Sequence, residues 1–157
     1  MKRLIPMALF CLMLGACTNE KKEQNQAQTN LKENPLIGTW ANVTLLVTMK
    51  RMKKNDSLLQ ANEGEWEEVL KIKPIETTFN SDSTFASQYF TLDGQNFNTT
   101  LGKWWIENDS LVMESENGIT KYDYRIQGNR VRFRATLDWD GDGEVDDSYD
   151  GVQVRID

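Results

Sequence analysis

The sequence predicts an all-β domain closed into a single antiparallel up-and-down barrel of eight strands. Two observations and one physical argument carry that expectation. From residue 35 onward, short alternating runs of apolar and polar residues are cut by turn residues at close intervals. Consecutive runs are joined by short connectors such as Asp93-Gly94, Asn117-Gly118 and Gly128-Asn129, so each strand can be the hairpin partner of its neighbour. An eight-strand meander would leave two free edges, and closure removes them while leaving an interior that side chains or one small ligand can fill.

The runs follow in order. The first strand covers 37–49, where, Thr39 apart, the odd positions are apolar: Ile37, Ala41, Val43, Leu45, Val47 and Met49. Residues 51–65 are polar, broken at Asn55-Asp56 and Gly64, with room for one helical turn. The second strand is 66–79, in which Pro74 implies a bulge or an edge position. The third is 84–92, after the turn Asn80-Ser81-Asp82-Ser83, and the fourth is 97–106, closed by Glu107-Asn108-Asp109. The fifth, 110–114, and the sixth, 119–126, flank Asn117-Gly118. The seventh, 130–139, has the clearest alternation: Val131, Phe133, Ala135, Leu137 and Trp139 face one way, Arg130, Arg132, Arg134 and Thr136 the other. With Tyr122, Tyr124 and Ile126 of the sixth strand, that apolar set is expected to point inward. The eighth strand is 148–156.

Ahead of this domain (35–157) stand a leader (1–16) and a tether (17–34). Lys2 and Arg3 precede an apolar run over 4–16, too short for a spanning helix, which needs about 20 residues. The run ends in Leu14-Gly15-Ala16-Cys17, which resembles the lipobox of bacterial lipoproteins. The resemblance implies that Cys17 receives a diacylglycerol and, after cleavage, a further acyl chain such as palmitate, and two or more chains anchor stably. The competing reading is an ordinary secretory signal with a chance cysteine. Thr18, not Asp, follows the anchor, a pattern similar to lipoproteins sent to the outer membrane. Residues 18–34 are rich in Asn, Gln, Lys and Glu, with Leu31 as their only large aliphatic, the composition of a disordered tether.

Asn34-Pro35-Leu36-Ile37-Gly38-Thr39-Trp40 resembles the Gly-x-Trp opening of lipocalins and the wider calycin group. Gly102-Lys103-Trp104, followed by Asp109-Ser110-Leu111-Val112-Met113, is similar to patterns in lipocalin-like domains of bacterial lipoproteins. The resemblance implies that Trp40 packs across the closed end of the barrel. The chain departs from lipocalins in lacking an evident C-terminal helix and the stabilising disulfide, since its two cysteines are Cys11 and Cys17.

Chemistry concentrates in residues 138–150. Lys2 and Arg3 are two of the 18 basic residues, so the chain after the leader carries 16 against 24 acidic ones, a formal −8. Seven of those acids, and no base, lie in this stretch: Asp138, Asp140, Asp142, Glu144, Asp146, Asp147 and Asp150. Such a cluster repels itself unless it is solvated or a cation sits between the carboxylates. It resembles the calcium loops of EF-hands, dockerins and thrombospondin repeats. Asp138, Asp140 and Asp142 match the first three ligand positions, Gly143 the sharp turn, Glu144 the carbonyl position and Asp146 the next ligand. Tyr149 stands where the bidentate Glu would be, so Asp147 or Asp150 would have to substitute. The resemblance implies weak, structural calcium binding, with Kd about 10⁻⁴–10⁻³ M, and a solvated acidic turn is the alternative.

Other residues exclude or weaken other functions. There is no histidine, which removes Ser-His-Asp, Cys-His and imidazole-zinc chemistry. The acidic balance argues against nucleic acid. Arg130, Arg132 and Arg134, with Lys121 and Arg125, could bind a carboxylate if buried, yet burying three guanidinium groups without partners is costly. Glu63, Glu65, Glu67 and Glu68 sit in a polar connector and read as solvated surface. Trp104 and Trp105 are adjacent and face opposite ways, so the outward one is the better binding candidate of the two.

The sequence thus predicts a non-enzymatic, monomeric, membrane-anchored envelope protein whose barrel binds a small apolar or amphipathic ligand. The alternative is a structural or inhibitor-like interaction protein with a filled barrel. The volume of the interior separates the two.

Overall fold

The computed structural model describes residues 34–51 and 55–157. The leader, Cys17 and all of the tether up to residue 33 lie outside the described residues. The described chain begins its sheet with β1 (Gly38–Met49) and β2 (Ser57–Ala61), then forms the short helix α1 (Trp66–Leu70). A meander follows: β3 (Glu76–Phe79), β4 (Thr84–Phe90), β5 (Asn96–Glu107), β6 (Ser110–Ser115), β7 (Gly118–Gln127), β8 (Arg130–Leu137) and β9 (Asp147–Arg155). Every pairing is antiparallel, and β9 pairs back onto β1 from Trp40↔Arg155 to Thr48↔Ser148. Eight strands, β1 and β3 to β9, therefore close a barrel, as the alternation predicts.

β1 runs the full height of the wall and has two partners on its other edge. Its first residues pair with β3, Gly38↔Phe79 to Ala41↔Glu76. Its last pair with β2, Leu45↔Ala61 to Met49↔Ser57. The inward set on β1 is not simply the odd positions. Trp40 and Asn42 point in, a register shift between Asn42 and Thr44 re-phases the strand, and Leu45 and Val47 point in after it.

Of the expected strand over 66–79, only Glu76–Phe79 is strand. Trp66–Leu70 is helical, and Pro74 lies in the connector before β3. Glu67 and Glu68 in the first turn suit the positive end of the helix dipole, and Trp66 and Leu70, one turn apart, face the barrel. The Glu65 carboxylate reaches back to the Asn62 N–H at 3.1 Å. That bond closes the turn that leads into the helix, whose N-cap is Glu65. The polar stretch before it holds β2, whose side chains alternate between half-buried and exposed.

The core fills one end. Phe79 sits at its centre, 5.5 Å from Trp104 in an edge-to-face pair and 6.5 Å from Phe133. Leu36, Trp40, Phe85, Leu111 and Val131 complete it, with Tyr122, Tyr124 and Ile126 packed alongside. The apolar face expected of β7 and β8 is thus the inner one. Each large side chain buried here contributes about 2–3 kcal/mol of transfer free energy.

Trp40 closes this end, as the Gly-x-Trp resemblance implies. Its indole N–H donates to the Leu36 carbonyl at 2.7 Å, and the Arg155 guanidinium lies 4.3 Å from its ring centre. Arg155 also donates to the Ile37 carbonyl at 2.7 Å. Gly38 permits this: its φ is +131°, and a side chain there would run into the Arg155 guanidinium and the Asp157 carboxylate.

Candidate functional site

Above that core, toward α1, the barrel is not filled. A cavity of about 400 Å³ remains, within the size range of small-molecule sites. Phe79, Tyr89, Met113, Tyr122, Phe133 and Tyr149 form its walls, and Trp66, Leu70, Ile72 and Ile75 of α1 and its connector cover one side. Trp139, 41% exposed, stands at the mouth and stacks on Tyr149 with ring centres 6.0 Å apart at 26°.

Polar groups are few, buried and arranged on the inner face. The hydroxyls of Thr77 and Ser87 share a hydrogen bond of 2.9 Å. Asn42 and Gln153 are directly opposed across the β1–β9 pair, 6% and 8% exposed. The Tyr149 hydroxyl meets the Asn42 side chain, and burial pushes its phenol far above the ordinary tyrosine range, so it stays protonated. Burial likewise raises the Tyr122 phenol. The Gln153 Oε1 is buried and has no hydrogen-bond partner among the described residues.

The acidic loop joins β8 to β9 at the same open end. Carboxylate oxygens of Asp138, Asp140 and Asp147 all lie within 4.8 Å of one another, a spacing that could hold one metal ion. Asp147 is the loop's anchor. It is 1% exposed and accepts the backbone N–H of Lys50 at 2.8 Å, of Trp139 at 2.8 Å and of Asp140 at 3.2 Å. Burial opposes its charge, but those three N–H groups outweigh burial and hold its carboxyl below the ordinary aspartate range. Asp138 accepts from Gly141 at 2.8 Å, Asp142 at 3.1 Å and Gly143 at 3.0 Å, folding the loop around itself.

The other acids of the loop are placed differently. Asp142 accepts the Glu144 N–H at 2.9 Å, a local turn, and neither residue belongs to the three-carboxylate group. Asp146 is also outside it; burial, and then repulsion from Asp147, Asp142, Glu144 and Asp140, raise its carboxyl above the ordinary range. Asp150 lies on the outer face, where Arg132 Nε donates to it at 2.6 Å and Arg134 approaches to 3.4 Å. Of the two substitutes the spacing left open for the last ligand, Asp147 is the one gathered with Asp138 and Asp140.

Other expected features fall as follows. Arg130, Arg132 and Arg134 are exposed, and Arg130 pairs with Glu63 at 2.6 Å, so no cation from this face enters the barrel. Trp104 points inward and is fully buried, and Trp105 lies on the outer face opposite Val112. The tryptophans that reach the cavity are instead Trp66 and Trp139. Asn42 and Gln153 carry no motif, although Asp147-Tyr149-Gly151-Gln153 is an inward period-2 series along β9. Gly151 in that series gives the Tyr149 ring its room. Comparison with protein-family models and with curated protein sequences gives no match.

Proposed function

We propose that this protein is a lipid-anchored, non-enzymatic binding module that holds one small apolar or amphipathic molecule inside its barrel at the cell envelope. The observation that supports it is the cavity of about 400 Å³ between the aromatic core and α1, walled by aromatic and aliphatic side chains with a few buried polar groups. None of the described residues that line it carries a carboxylate, an amine or an imidazole, the groups that general acid–base catalysis most often uses. The anchor in this reading is Cys17, from the lipobox-like sequence, in the outer membrane. Calcium between Asp138, Asp140 and Asp147 serves as a structural clasp on the β8–β9 loop, neutralising carboxylates that otherwise repel.

The test is a titration with N-phenyl-1-naphthylamine, an uncharged apolar fluorophore. Saturable one-to-one enhancement is expected, and Ser87→Trp, which places an indole in the cavity, should reduce affinity at least about tenfold. Absence of saturable binding by the wild type would refute the reading. One observation favours the interaction-protein alternative as a second reading. Leu92, Phe97 and Leu101 are 48%, 54% and 66% exposed where the β4–β5 hairpin outruns β6, an apolar tip suited to a protein contact.

A further inference from the structure

Among the described residues, one fully buried polar side-chain atom of the cavity lining has no partner. Thr77 and Ser87 satisfy each other, and the Tyr149 hydroxyl meets Asn42. Gln153, 8% exposed, presents a buried Oε1 that no group among the described residues bonds. The described lining has no Asp, Glu, Lys or Arg. Arg155, the next inward residue along β9, is engaged by the Trp40 ring and by the oxygens of Ile37 and Asp157.

Resting on the carrier reading above, we infer that the ligand is an uncharged amphiphile that donates a hydrogen bond, from a hydroxyl or an amide N–H, to Gln153 Oε1. The chemistry selects it by exclusion. An ionised head group would lose its hydration among walls that offer no counter-charge. A pure hydrocarbon would strip the Gln153 oxygen of water without replacing the bond. An ester or ketone would set its own lone pairs against that oxygen. Only a neutral donor satisfies the amide while its apolar body lies along Phe79, Tyr122 and Phe133.

The experiment is calorimetric titration of the full chain with decan-1-ol, methyl decanoate and sodium decanoate at neutral pH. The alcohol is expected to bind one-to-one and at least about tenfold more tightly than the ester or the carboxylate. In Gln153→Met, which keeps the length and removes the acceptor, the alcohol's affinity should fall to that of the ester, and the ester's should stay as it was. An ester or carboxylate that binds the wild type as tightly as the alcohol overturns the inference and leaves the carrier reading standing. So does a preference for the alcohol that survives Gln153→Met. Binding by none of the three, with no saturable fluorophore binding, sinks the carrier reading and this inference with it. Should Gln153→Met fail to fold, the order of the three wild-type affinities decides alone.

Discussion

Gly151→Ala is expected to destabilise the barrel, although the usual sign of glycine-to-alanine in a strand is the opposite. Alanine restricts the unfolded chain, which ordinarily adds about 0.4–1 kcal/mol where the backbone tolerates it. At Gly151 the added methyl would meet the Tyr149 hydroxyl and lie 2.8 Å from Cζ and 3.2 Å from Cε1. Ordinary carbon contacts are about 3.5–4.0 Å, so the phenol has to move by about 1 Å. It is not free to do so. Tyr122 packs edge-on at 5.9 Å, Trp139 stacks at 6.0 Å, and Asn42 meets the hydroxyl. Overpacking of this kind costs about 1–3 kcal/mol, leaving a net loss of about 1–2 kcal/mol and a fall in Tm of about 3–8 °C. Urea denaturation reads this as a lower midpoint at unchanged slope. In a Tyr149→Phe background the hydroxyl is gone, and the penalty of Gly151→Ala should shrink, a coupling that a double-mutant cycle isolates. Stability at or above wild type for Gly151→Ala, or the same loss in both backgrounds, would refute the packing argument.

Other outcomes follow from the loop, the closed end and the anchor. Calcium at ten to a hundred times Kd should stabilise the folded state by about 1–3 kcal/mol, raising Tm by several degrees, and magnesium should do less. Asp138→Asn with Asp140→Asn should abolish that gain; no calorimetric heat and no melting shift in the wild type would leave a solvated acidic turn. Because the folded Asp147 carboxyl sits below the ordinary aspartate value of about 3.9, its contribution is complete above that pH and is lost as pH falls toward the lower folded value. Asp147→Asn should therefore flatten the loss of urea midpoint below about pH 4, and an unchanged acid limb would count against the three-amide anchor. Arg155→Met removes a cation–π contact and the bond to the Ile37 carbonyl, and should cost about 1–3 kcal/mol by urea denaturation. Cys17→Ser should move the protein from the membrane fraction to the soluble one, and continued membrane partition would remove the lipobox reading.

Much of the barrel is legible because its strands are half-buried hairpins. In β8 every odd residue from Val131 to Leu137 is apolar and every even one polar, so one period fixes both the strand and its inner face. The closed end is legible for a different reason, since Gly38 and Trp40 resemble a short motif that implies this packing. What fails is local. Trp66 to Phe79 contains enough apolar residues to read as one strand, but Trp66 and Leu70 sit at helical spacing and Glu65 caps the turn before them. The re-phasing of β1 is invisible because the bulge at Asn42 is a property of its pairing with β9, not of its own sequence. The buried polar groups of the cavity are hidden for the same reason. Asn42 and Gln153 are ordinary polar residues until the barrel closes and sets them opposite each other, 111 positions apart in the chain. The acidic loop announces its charge, but only the fold separates Asp147, turned inward and bound to three amides, from Asp150, turned outward to Arg132.

The seam between β1 and β9 also governs when this protein can fold. The Thr39 N–H is bonded to the Asp157 carboxylate at 2.9 Å across 118 residues, and β9 is the last barrel strand among the described residues. Until β9 has been synthesised, β3 to β8 can form hairpins, but the sheet stays open, Trp40 lacks the guanidinium over its ring, and the cavity lacks Tyr149 and Gln153 from its wall. Loop-closure entropy must be overcome before the last pairing rewards it, so sealing is the slow step of a topology dominated by such distant contacts.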